Sequence, residues 1–142
     1  MEDKHIHISL GFEPLSTEEC RTLVQDPACG GQVVFAGAVR NHTGDRKVLY
    51  LDFESYVPMA KKVMQEICSQ AIEKWPIRHA VCHHRLGKLE IGELAVVIAV
   101  SSPHRKASFE ACEFIIDELK KEVPIWKKEV FEGGEEWVSA RP

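Results

Sequence analysis

The chain has 142 residues, the size of one ordinary domain, and its 44% hydrophobic and 28% charged residues exclude a disordered polymer. A net charge of −4 argues against a dedicated nucleic-acid binder, whose domain is normally basic. The longest apolar run, Leu94 to Val100, falls far below the roughly 20 residues of a membrane span, and no signal-peptide core follows His5. A single-domain cytoplasmic protein over residues 1–142, with neither a membrane nor a nucleic acid as partner, is therefore expected. The five cysteines (Cys20, Cys29, Cys68, Cys82 and Cys112) are odd in number and form no C-x-x-C, so reduced thiols are expected rather than a disulfide framework or a metal site.

In chain order, His5 to Leu10 alternates polar and apolar residues and predicts a half-buried strand. Its H-x-H spacing lacks a third ligand nearby and is read as a solvated strand face. Ser16-Thr17-Glu18-Glu19 is a capping box opening a short helix that stops before Pro27. Gln32 to Val39 is β-branched and apolar and predicts a buried strand, with Gly37 marking a bulge or a close approach of backbone. Arg40 to Arg46 is a polar loop, and Val48 to Glu54 returns as a strand, so the two strands are expected to form a hairpin. Pro58 suits a helix start, and Met59, Val63, Met64, Ile67, Cys68, Ala71, Ile72 and Trp75 form a core-facing stripe. Ile77 to His84 predicts a strand, Leu86 to Glu93 a turn-rich connection, and Leu94 to Ser101 the central strand.

A second long helix follows, with Ser102 as N-cap, Pro103 at the first position, and Ala111, Cys112, Ile115, Ile116, Leu119 and Val123 as its buried stripe. Pro124 stops it, Ile125-Trp126 should anchor the exit in the core, and a short tail completes the chain. The uneven alternation of strands and helices predicts an α+β fold, a mixed or antiparallel sheet with helices packed on one face.

The charges on this last stretch are unusual. His104, Arg105 and Lys106 stand at a helix start, where cations are disfavoured by roughly 0.3–1 kcal/mol each. A bound anion would account for them, because free N–H groups, helix dipole and side chains would then converge on it; a solvated basic start is the equal alternative. Lys120 borders the buried stripe, and Lys127 follows Trp126. A lysine held against apolar walls can serve as a nucleophile or acid–base group, although snorkelling surface lysines are the commoner outcome. Arg40 begins a loop directly after a strand, from where a guanidinium can be aimed into a cleft. His83-His84-Arg85 is read as structural, with Arg85 a weak anion candidate. The P-loop, dinucleotide-fingerprint, zinc-protease and serine-hydrolase motifs are missing.

Taken together, these stretches resemble the large, catalytic subunit of molybdopterin synthase. The resemblance rests on Gly37-Ala38-Val39-Arg40-Asn41 with Gly44, Glu54 to Ala60, His84-Arg85-Leu86-Gly87 with Gly92-Glu93, Ser102-Pro103-His104-Arg105, and Asp117 to Lys120 running into Pro124 to Glu129. It implies an α/β hammerhead-type fold and a homodimer carrying two copies of a small ubiquitin-like sulfur carrier, a heterotetramer. It also implies transfer of sulfur from the carrier's C-terminal Gly-Gly thiocarboxylate to cyclic pyranopterin monophosphate, with no cofactor. By motif, the family's pocket positions fall on Arg40, His104, Arg105, Lys120 and Lys127. Arg40, His104 and Arg105 would bind the substrate and its phosphate, and Lys120 and Lys127 would meet the thiocarboxylate. The competing readings are a non-catalytic dimeric docking module for such a tail or a phosphorylated metabolite, and a phosphate-binding acyltransferase.

Overall fold

The structure, a computed structural model, describes residues 5–139. Nine strands and three helices occur among them: β1 (Ile6–Gly11), α1 (Thr17–Leu23), β2 (Gly31–Ala38), β3 (His42–Thr43), β4 (Arg46–Ser55), α2 (Val57–Lys74), β5 (His79–Arg85), β6 (Gly87–Glu90), β7 (Leu94–Ser102), α3 (Arg105–Glu122), β8 (Ile125–Phe131) and β9 (Gly134–Ser139). The α+β reading holds, and the strands divide into two sheets.

The first sheet has the order β1-β5-β7-β2, with β1 parallel to β5 and the other pairs antiparallel. Its period of two sorts the core. Val97 and Ala99 of β7 and Val81 of β5 point to the face covered by α1, where they pack with Cys20 and Val24. Val96, Ile98, Val100, Ala80 and Cys82 point to the opposite face, into the larger core with α2 and α3. Helices therefore cover both faces rather than one. Ser16 Oγ accepts from the Glu19 N–H at 3.0 Å, the N-cap expected for α1.

The second sheet has the order β3-β4-β8-β9, with β6 also paired to β4. Here two expectations fail. The strands β2 and β4 do not form a hairpin; β2 pairs with β7, β4 pairs with β8 and β6, and the hairpin is the short β3–β4 turn. The apolar content of β2 suited a buried strand, yet it is a sheet edge with Val34 and Phe35 more than a third exposed. The stretch after Pro124 is also more regular than expected: β8 pairs along β4 and β9 pairs along β8.

Smaller corrections follow from geometry. A register shift between Val48 and Tyr50 turns Leu49 outward and keeps Val48 on the inner face with Leu51 and Phe53. In α2, Met64 is core, but Met59 in the first turn is 53% exposed. The N-cap of α3 is His104 and its first residue Arg105, two residues later than expected, because Ser102 closes β7 instead. Ile125 is buried, whereas Trp126 points to the other face of β8 and is 40% exposed.

Candidate active site

A cavity of about 400 Å³, within the range of small-molecule sites, opens where the end of the first sheet meets the inner face of the second. Its walls include Val39, Leu51, Phe53, Val96 and Leu119, and its charged groups are Arg40, Lys120, Lys127 and Glu129.

Each cation reaches the cavity for a local reason. At Gly37 a β-carbon would lie 2.8 Å from Val96 Cγ1, and the register of β2 against β7 shifts between Gly37 and Ala38. The bulge lets the chain turn away from the edge. Val39 is buried and tied by its N–H to Glu93 O at 2.9 Å, and Arg40 emerges beside the cavity. Lys120 sits in the last turn of α3, where cations suit the helix dipole, one residue beyond buried Leu119. Lys127 shares the inner face of β8 with Ile125, Glu129 and Phe131. Helix α3 does not continue past Glu122; the strand returning beneath it brings Lys127 to the same cavity as Lys120.

Lys127 Nζ lies 3.8 Å from Glu129 Oε2, and Thr43 Oγ1 donates to the same oxygen at 3.2 Å. Glu129 is 6% exposed, so a buried carboxylate depends on these partners. His84 forms part of the cavity lining and is 4% exposed. Its Nδ1–H donates to the Arg85 carbonyl at 2.9 Å, and its ring meets Phe53 edge-on at 5.1 Å. Burial pulls its pKa down to about 4, against the weaker opposing effect of that hydrogen bond. His84, Glu129 and Thr43 were not expected from sequence. Period-two alternation through β5 and β8 would have placed the first two inward, but β8 was not anticipated as a strand. Arg85, the weak anion candidate, is committed to Glu93 at 2.9 Å.

His104 and Arg105 do not join this cavity. They line a separate, shallower depression with Gly30, Gly31, Pro103 and Lys106. Arg105 and Lys120 stand near opposite ends of α3, about 22 Å apart at 1.5 Å per residue. The basic helix start is built closely against β2: a β-carbon on Gly31 would meet backbone atoms of Arg105 and His104 at 2.8–3.0 Å. Ser108 Oγ, within 2.6 Å of Ser102 Oγ, donates to Gly31 O at 3.0 Å and locks the junction. The His104 side chain makes no capping bond, so the first-turn N–H groups of α3 are left for another partner. Among the described residues no His, Cys, Asp and Glu cluster could hold a metal ion, and no helix is long and apolar enough to cross a membrane.

A half-apolar cavity lined by three cations and one buried carboxylate on an α+β scaffold has the walls and charge that suit an organic anion. Comparison with known proteins gives the chain its family. The profile of the family described as "MoaE protein" matches residues 10–122. A human protein named molybdopterin synthase catalytic subunit is 45% identical over 130 residues, covering 92% of this chain and 69% of its own. The crystal structure of molybdopterin synthase from Staphylococcus aureus superposes with a TM-score of 0.88 at 41% identity, covering 97% of this chain and 98% of that one. A complex of subunits 1 and 2 of the molybdopterin-converting factor from Helicobacter pylori aligns with a TM-score of 0.73 at 25% identity, covering 94% and 89%. The chain belongs to the MoaE family. It is thereby a catalytic subunit of molybdopterin synthase, a sulfurtransferase of molybdenum cofactor biosynthesis, and not merely a docking module.

Proposed function

We propose that the cavity between the two sheets receives the C-terminal thiocarboxylate of a small ubiquitin-like Gly-Gly carrier and cyclic pyranopterin monophosphate, and that two sulfur transfers there yield the molybdopterin dithiolene. The observation that carries this reading is the convergence of Arg40, Lys120 and Lys127, from the loop after β2, from α3 and from β8, on one cavity with apolar walls. Both proposed ligands are anions, and the pterin also has a flat, uncharged body for those walls. Lys120 and Lys127 hold the thiocarboxylate and assist proton transfer as sulfur leaves; Arg40 orients the pterin substrate. The subunit 2 partner in the Helicobacter pylori complex supports a small carrier subunit as the second chain.

His104 and Arg105 take the substrate phosphate, and the distance along α3 then requires a second copy of the chain. Two copies, each placing the start of its α3 at the other's cavity, would complete both sites. The edge strand β2 supports such a contact: Val33, Val34, Phe35, Phe109, Cys112 and Ile116 line an open groove between β2 and α3, and Phe109 is 60% exposed. A homodimer with one carrier at each cavity is the resulting heterotetramer, working in the cytoplasm with no cofactor of its own. The test is reconstitution from the purified chain, thiocarboxylated carrier and pyranopterin. Dithiolene product forming only when all three are present is expected; carrier binding without product at saturating pterin would contradict the reading.

A further inference from the structure

We propose that His84 is a specificity-determining residue that accepts a hydrogen bond, at Nε2, from an N–H group on the uncharged ring portion of the substrate; this rests on the pterin reading above. The argument begins with the tautomer. The Arg85 carbonyl can only accept, so the 2.9 Å contact places the proton on Nδ1 and leaves the lone pair on Nε2. No protein group among the described residues donates to Nε2. The ring is 4% exposed and forms part of the cavity lining, so the donor for Nε2 is water or a ligand that displaces it from that cavity.

The other charged and hydroxyl side chains of the cavity sharpen the inference. Arg40, Lys120 and Lys127 are donors and suit the oxygen and sulfur atoms of anions. Glu129 is a charged acceptor whose Oε2 is engaged by Thr43 at 3.2 Å and Lys127 at 3.8 Å, a contact that uses the proton of the Thr43 hydroxyl. His84 Nε2 is the uncommitted neutral acceptor among these side chains, beside the anionic Glu129. A phosphate or thiocarboxylate gains little from a lone pair. A heterocycle with ring N–H and amino groups gains a directional contact, and Phe53, edge-on to His84, holds the imidazole in one plane for it. Burial keeps the imidazole neutral near pH 7, as an acceptor must be. The cavity then separates two tasks, with cations for the charged ends and one neutral acceptor for the ring.

The test uses the full chain with its carrier, as wild type, H84F and H84Q. KM is measured for pyranopterin and for thiocarboxylated carrier, and inorganic phosphate is the competing probe. H84F is expected to raise the pyranopterin KM about tenfold while leaving the carrier KM and phosphate inhibition unchanged. H84Q, whose amide oxygen reaches toward the Nε2 position, is expected to recover most of the loss. Should H84F not fold, a pyranopterin analogue methylated at its ring and amino nitrogens is compared with the parent on wild type, with about tenfold weaker binding expected. A wild-type KM in H84F, an equal loss toward pyranopterin and phosphate, or equal affinity for parent and methylated analogue overturns the inference. Wild type that neither binds nor converts pyranopterin overturns instead the function on which it rests.

Discussion

Replacing Lys127 with Met separates binding from structure at the cavity. Methionine keeps the unbranched stem of lysine and removes its charge. Two consequences follow from the position of the ammonium. Glu129, 6% exposed, loses a partner at 3.8 Å and keeps the Thr43 hydroxyl at 3.2 Å. The contact is long and Lys127 is 29% exposed, so the stability cost is about 1 kcal/mol, or about 3 °C in Tm. A bound thiocarboxylate or phosphate loses a charge-assisted hydrogen bond worth about 1.5–3 kcal/mol, a drop in activity of about 10- to 150-fold. The double variant K127M/E129Q removes the uncompensated charge and should regain most of the Tm, but none of the activity. The assays are thermal unfolding and product formation with thiocarboxylated carrier. Activity that returned with the Tm in the double variant would show that Lys127 serves to hold Glu129, and would refute its contact with the ligand.

Two further outcomes are expected from the fold. The folded-state pKa of His84, about 4, lies below its ordinary 6.5, so the unfolded chain takes up that proton first. Its contribution is fully present above pH 6.5 and is lost as pH falls toward 4, by at most about 3 kcal/mol; urea midpoints at pH 7 and pH 4.5 should differ less in H84F than in wild type. The F109D substitution places a charge on the exposed groove between β2 and α3, and sedimentation should find a monomer that folds but makes no product.

Much of the fold was legible because periodicity reports burial directly. Apart from Met59, which is exposed, the stripes of α2 and α3 and the apolar run of β7 fell where expected, and Gly37 marked a real bulge. Sheet partnership was not legible. A strand as apolar as β2 reads as buried, but its hydrophobicity can equally serve an edge that another copy covers. Strand β8 was hidden because Pro124 announces only the end of a helix and carries no sign of the strand after it. That omission mattered at the site. Lys127 and Glu129 share one strand face, and their pairing is invisible until β8 exists. Lys120 and Arg40 were legible as candidates because both sit at element ends next to buried residues. His84 was not, since a histidine in an apolar strand reads the same whether it faces a core or a cavity. His104 and Arg105 were legible as a basic helix start but not as a separate place, because a linear motif carries no distance.

The claim that the working site is shared between two copies is tested most directly by complementation. K120A and H104A homodimers are each expected to be inactive while remaining dimeric. When the two are dissociated and reassociated together, half of the dimers are mixed. If each site draws Lys120 from one copy and His104 from the other, every mixed dimer holds one intact site, and the mixture should reach about a quarter of wild-type product formation. No activity above that of the separate variants would contradict the shared site.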